Sequence, residues 1–147
     1  MTLLLDQTQL EVVLSPIERA TAFHRDNLRI ARDTITKVQL TEDAWTWLRG
    51  VPSPGTHLPG VLAAGSWKSP GGIDFVLIRR GRPSVVIDLD GDPQFRRLVL
   101  STRHGLALTQ ALRLPLSDEA ADVSDLAAGA SVPARSRKRP VIRPRPA

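Results

Sequence analysis

The chain has 147 residues, of which 41% are hydrophobic and 24% charged, as in one globular domain and unlike a fibrous or wholly disordered protein. It contains no cysteine, which excludes disulfide scaffolds, cysteine nucleophiles and thiolate metal ligands. The formal net charge of +5 is unevenly distributed, because residues 1–114 carry +3, residues 115–132 carry −4 and residues 133–147 carry +6.

The hydropathy pattern gives no sign of a membrane span. No run approaches the 18 or more consecutive apolar residues that a spanning helix needs, and the opening five residues lack the basic region of a signal peptide. We therefore expect a soluble, cytoplasmic protein, either free or peripheral to the membrane.

The first half of the chain predicts short strands around one small helix. A strand is predicted over 10–14 and a helix over 16–24, where Ser15 is the N-cap, Pro16 the first helical residue and Glu18 the capping-box partner. Ile17, Ala20 and Phe23 are its predicted inner face. Strands are predicted next over 28–31 and 34–40, followed by a helical turn over 43–48.

The second half alternates strands with turns. Glycines and prolines between residues 50 and 65 predict turns and one strand with close backbone approaches. Strands are then predicted over 61–67, 73–79, 85–89 and 96–101. A helix capped by Thr102 is predicted over 103–113, with Leu108, Ala111 and Leu112 facing the sheet.

The composition changes at residue 115. The remaining segment has five of the twelve prolines and no aromatic residue, so it cannot bury enough apolar surface to offset its ordering entropy. The predicted organisation is a folded domain over 1–114 and a disordered acidic linker with a basic Pro/Arg-rich tail over 115–147. Deleting residues 116–147 is therefore expected to leave the fold intact.

The predicted element order resembles that of pleckstrin-homology-like (PH-like) domains. The most specific feature is Arg-Gly-Val at 49–51, followed by Pro-Gly-Thr-His-Leu-Pro-Gly-Val at 54–61 and Ala-Ala-Gly at 63–65, which is similar to small bacterial PH-like proteins. The resemblance covers roughly residues 9–114. It implies a mainly β protein, a bent sandwich of two antiparallel sheets with about seven strands, a short helix after the first strand and a C-terminal helix capping one end. It implies no activity, since this fold binds lipids, phosphopeptides and proteins on different surfaces.

Two groups of basic residues are candidate anion-binding sites. On the domain they are Lys68, Arg79, Arg80 and Arg82. In the tail they are Arg135, Arg137, Lys138, Arg139, Arg143 and Arg145. The tail can contact nucleic acid or anionic headgroups, although it lacks the aromatic residues on which bases stack. The alternative for both groups is a solvated basic surface.

Trp47 and His57 are the candidate partner-binding residues. If Trp45 and Trp67 fill the core, Trp47 points elsewhere and is partly exposed. His57 lies in the Gly/Pro stretch. The opposing interpretation is that each is an ordinary surface residue.

No catalytic constellation is predicted. The three histidines are scattered and do not have metal-ligand spacing, and Ser84 does not lie in a G-x-S-x-G elbow. We therefore expect no enzyme activity, metal, cofactor or small-molecule substrate. The leading hypothesis is a non-enzymatic PH-like binding or adaptor module that engages a protein partner or a membrane surface, with the tail adding nonspecific anion affinity. The alternative is a nucleic-acid-associated accessory protein that binds through the tail.

Overall fold

The computed structural model describes residues 1–113 and 121–123. Within this part the chain is mainly β, with ten strands, two short helices and two 3₁₀ turns. The strands are β1 (Thr2–Leu5), β2 (Gln9–Val13), β3 (Leu28–Ala31), β4 (Ile35–Thr41), β5 (Val51–Leu58), β6 (Leu62–Ser69), β7 (Gly72–Arg79), β8 (Ser84–Leu89), β9 (Arg97–Ser101) and β10 (Ala121–Asp122). The helices are α1 (Pro16–Ala22) and α2 (Gly105–Ala111), and the 3₁₀ turns span Arg32–Thr34 and Ala44–Trp47.

The strands form two sheets that pack around a common core. The four-stranded sheet has the order β10-β1-β2-β3, and the six-stranded sheet has the order β4-β8-β9-β7-β6-β5. Alternating residues of both sheets meet in the core, among them Leu10 and Ile30 from the smaller sheet and Phe75, Leu77 and Ile87 from the larger. The prediction of a mainly β, sandwich-like protein is therefore confirmed.

The central strands of the larger sheet are buried on both faces. Its second face packs Trp67, Val76, Val86 and Val99 beneath residues 42–49, the segment that contains the second 3₁₀ turn. A strand buried on both faces needs continuous apolar sequence. This explains the continuous apolar residues Phe75–Ile78 in β7 and Val85–Ile87 in β8, all of which are buried.

Three features differ from the predicted topology. Two strands precede α1 where one was predicted, and the Gly/Pro stretch forms the complete strand β5. β7 and β9 are parallel, so the prediction of purely antiparallel sheets was wrong at this pair. β8 does not pair with β7, the strand before it. β9 lies between the two, antiparallel to β8 and parallel to β7.

The folded part extends past the predicted boundary at residue 114. Ala121 and Asp122 pair with Leu5 and Leu4 of β1, and Val123 is 1% exposed within the main core. Full burial of a valine contributes about 1.5–3 kcal/mol. These residues therefore belong to the domain, whereas the predicted tail over 133–147 lies outside the described residues.

This contact changes the expected result of truncation. The variant that lacks residues 130–147 is the reference for this experiment, because it retains β10 and Val123. Deleting residues 116–147 is expected to lower the midpoint by more than about 5 °C, which corresponds to roughly 1 kcal/mol in a domain of this size. Calorimetry on the two variants measures the difference, and equal midpoints would show that β10 contributes nothing to stability.

Candidate functional site

Helix α1 lies on the larger sheet with an acidic residue facing inward. The predicted capping box is present, since Ser15 Oγ accepts from the Glu18 N–H at 3.2 Å and Glu18 Oε1 accepts from the Ser15 N–H at 2.8 Å. Glu18 is 3% exposed and forms ion pairs with the Met1 ammonium at 2.8 Å and with Arg79 at 3.0 Å. Ala22, one turn later, is also buried.

The surroundings of Glu18 keep it ionised. Burial acts to raise its pKa, but the hydrogen bond from the Met1 ammonium, the bond from the Ser15 backbone and the ammonium charge together lower the pKa below its ordinary value of 4.5. A buried carboxylate held in this way fixes the rotation of the helix.

The opposite side of α1 exposes apolar residues, so the predicted inner face was wrong. Ile17 is 72% exposed and Phe23 63% exposed, and Ala20 between them is also exposed. Phe23 ends the helix at φ 53°, a left-handed conformation that is uncommon for a bulky residue. Thr56 Oγ1 donates to the Thr21 carbonyl at 2.6 Å and ties the helix to β5.

Further exposed apolar residues lie where β5 turns into β6. Leu58 and Val61 are about half exposed, and the Arg80 N–H donates to the Val61 carbonyl at 2.9 Å. That bond places the β7–β8 turn, with the exposed residues Arg80 and Arg82, beside the β5–β6 turn. We call this the cation-rimmed surface, formed by Ile17, Phe23, Leu58, Val61, Arg80 and Arg82.

The four predicted anion-binding residues of the domain do not form one cluster. Lys68 pairs with Ile73 and Arg79 pairs with Leu62, at opposite ends of the β6–β7 hairpin. Six residues of strand separate these positions by about 20 Å. The Arg79 side chain is engaged by Glu18, so only Arg80 and Arg82 remain together as exposed cations.

The two predicted partner-binding residues contact the second face of the larger sheet. His57 is exposed but stacks on Trp45 at 6.4 Å between ring centroids and meets the edge of Trp67 at 5.8 Å. Trp47 is half-buried beneath the Arg97 guanidinium, 5.2 Å from its ring centroid. These contacts dock residues 42–49 on the sheet.

A bidentate ion pair completes that docking. Arg49 Nε lies 2.6 Å from Oδ2 of Asp74, and a terminal nitrogen of Arg49 lies 3.0 Å from Oδ1. The bond to Asp74 raises the pKa of Arg49, against the opposing effect of burial. Asp74 is 2% exposed, so Arg49 is the cation that compensates a buried carboxylate.

Within the described residues the structure assembles no metal centre, and Ser84 is not exposed. No group of three or more His, Asp or Glu side chains there is close enough to hold a metal ion. The Ser84 hydroxyl is buried and hydrogen-bonded to Ser101 at 3.0 Å. The tail bases Arg135, Arg137, Lys138, Arg139, Arg143 and Arg145 lie outside the part of the chain that the structure describes.

Comparison with known proteins gives no relative from which a role can be transferred. No family model, curated protein or solved structure matches the chain. None of the helices in the described ranges is long and apolar enough to cross a membrane. A functional proposal therefore depends on the surfaces of this molecule alone.

Proposed function

We propose that the chain is a non-enzymatic, PH-like binding module that attaches peripherally to the anionic, cytoplasmic face of a membrane through the cation-rimmed surface. The observation that carries the proposal is the orientation of α1, which buries Glu18 and exposes Ile17 and Phe23. A helix that only stabilised the core would bury Ile17 and Phe23 and expose Glu18. The two-sheet sandwich, with helix α2 following the last strand of the larger sheet, supports the PH-like assignment.

The composition of this surface suits a lipid interface. Four apolar side chains are exposed on α1 and on the β5–β6 turn, to which Arg80 bonds. The acidic residue of α1, Glu18, is buried and paired with Met1 and Arg79. Each arginine near an anionic membrane contributes about 1 kcal/mol, and inserted apolar side chains add to this. The six bases of residues 133–147 provide a second, nonspecific attraction.

Binding of the full chain to vesicles tests the proposal. We expect co-sedimentation with phosphatidylcholine vesicles that contain phosphatidylserine, and little with pure phosphatidylcholine. Arg80→Gln with Arg82→Gln is expected to weaken binding more than tenfold, because it removes about 2 kcal/mol. Ile17→Ser with Phe23→Ser is expected to weaken it similarly.

Matched controls lie on α2 and β4. Leu106→Ser with Lys37→Gln removes one exposed apolar residue and one exposed cation away from the surface, and is expected to bind as the wild type does. If binding survives both surface variants but is lost when the six tail bases become glutamine, the tail and not the cation-rimmed surface binds the membrane. If the full chain binds no vesicles, the proposal of membrane attachment is wrong and a protein is the expected partner.

The tail composition favours one second candidate, a nucleic-acid-associated accessory protein. Residues 133–147 contain six bases and no acid. Six phosphate contacts on duplex DNA give a log-log salt slope no steeper than about −5, since each contributes roughly −0.9. Duplex binding with that slope, unaffected by Arg80→Gln and Arg82→Gln, would support this candidate over membrane attachment.

A further inference from the structure

A groove runs along the open edge of β3, on a part of the molecule that the proposed membrane contact does not use. It consists of two adjoining cavities of about 780 and 230 Å³. Both are lined by Arg29 of β3 and by Asp92 and Pro93 of the β8–β9 loop. The strand forms one wall of the groove and the loop forms the other.

The backbone of β3 has unused hydrogen-bonding groups along this groove. Arg32 N–H donates to the β1–β2 turn at 2.9 Å, and hydrogen-bonded positions alternate along an antiparallel ladder. Ile30 and Leu28 therefore bond to β2, whereas the N–H and C=O groups of Arg29 and the N–H of Ala31 point to the open edge. The Ala31 carbonyl accepts from Thr34 Oγ1 at 2.7 Å and is not available to a further strand. Within the described residues, β3 has no strand on that side.

The walls of the groove are acidic. Asp33, Asp90 and Asp92 line the larger cavity, and Asp26 with Asp92 lines the smaller one. Arg29 is the single cation of both linings, and it lies 3.7 Å from Glu11. Asp92 Oδ2 also accepts from the backbone of the following turn, which fixes the loop wall. The groove thus combines an open strand edge with a net negative charge.

We propose that this groove binds residues 134–146 of the same chain, which add to β3 as an extended strand. Residues 135–139 read Arg-Ser-Arg-Lys-Arg without a proline, so every N–H in this stretch can donate. In an extended strand Arg135, Arg137 and Arg139 share one face and Lys138 lies on the other. Five residues with four positive charges match the acidic walls.

The chain is long enough to bind its own groove. Val123 is fixed in the core, and ten residues separate it from Ala134. Ten extended residues span up to about 33–36 Å, whereas β10 and β3 are separated by three strand spacings of the smaller sheet, about 14–15 Å. The segment is covalently attached, so its effective concentration at the groove is in the millimolar range and weak contacts suffice.

A labelled synthetic peptide of residues 133–147 provides the test, with binding followed by fluorescence anisotropy. The receptor is the full chain in which the six tail bases are glutamine, so that the groove is vacant. We expect saturable binding to this receptor and at least tenfold weaker binding to the wild type, whose own segment competes. Asp33→Asn with Asp90→Asn in the receptor is expected to weaken binding about five- to tenfold.

Two controls separate strand addition from simple charge attraction. Glu42→Gln with Asp43→Asn removes the same charge at two exposed positions outside the groove and is expected to leave binding unchanged. A peptide with Nα-methyl groups at Arg137 and Lys138 keeps every charge but loses backbone donors, and its binding is expected to fall. The proposal is wrong if the methylated peptide binds as tightly as the unmethylated one. It is also wrong if the two charge variants lose the same affinity, or if the receptor and the wild type bind the peptide equally.

Discussion

Replacing Gly65 by valine is expected to abolish cooperative folding. A Cβ at this position lies 2.5 Å from the Gly55 Cα and 2.5 Å from the Pro54 carbonyl oxygen, both of which are backbone atoms of β5. The residue also has φ +128°, which side chains rarely adopt. Overpacking costs about 1–3 kcal/mol and backbone strain a further 1–3 kcal/mol, which together approach the total stability of a small domain.

Gly60→Val is the matched comparison. Gly60 has φ +75°, but no atom lies within 4 Å of an added Cβ, so only the strain of the left-handed conformation remains. We expect a loss of about 1–3 kcal/mol, with cooperative unfolding retained. Urea titrations followed by circular dichroism compare the variants. A Gly65→Val protein as stable as Gly60→Val would show that β5 can move away from β6 without cost.

The local signals in the sequence were sufficient for α1 but not for its orientation. Ser15, Pro16 and Glu18 predicted the start of the helix, and the structure has the capping box that they specify. The apolar spacing of Ile17, Ala20 and Phe23 then indicated the wrong inner face. Glu18 faces inward because it meets Arg79 and the Met1 ammonium, and no local pattern reveals partners 61 and 17 residues away in sequence.

The strands that the sequence predicted most clearly were those rich in apolar residues. Residues 73–79 and 85–89 lie within β7 and β8, whose side chains pack on both faces. β5 was less distinct because none of its eight residues is buried in the core, and it is an edge strand exposed over most of its length. Prolines at 52 and 54 are tolerated at such an edge, where one side of the backbone needs no partner.

The candidate surface was predictable only in part. Arg80 and Arg82 follow a strand and precede a proline, which marks a turn with exposed side chains. Lys68 was grouped with these arginines because it was predicted to lie on a neighbouring hairpin. The strand register separates it from Arg79 by the length of β7. Grouping residues into a surface requires the register, which depends on the whole sheet.

Removing Arg49 is expected to destabilise the protein more than removing the carboxylate that it binds. Arg49→Leu leaves Asp74 buried at 2% exposure without its bidentate partner. Breaking a buried pair costs about 3–5 kcal/mol, and we expect the lower end of that range because the Arg49 side chain is 42% exposed and water can enter. Asp74→Leu leaves only a cation that can turn to solvent, and is expected to cost about 1 kcal/mol.

The double variant Arg49→Leu with Asp74→Leu completes a thermodynamic cycle. It is expected to be more stable than Arg49→Leu alone, because the uncompensated carboxylate is gone. Urea unfolding monitored by tryptophan fluorescence also reports on Trp45, Trp47 and Trp67, which pack in or against the cluster beneath residues 42–49. If Arg49→Leu lies within about 0.5 kcal/mol of the wild type, as an ordinary surface substitution does, the ion pair does not hold residues 42–49 on the sheet.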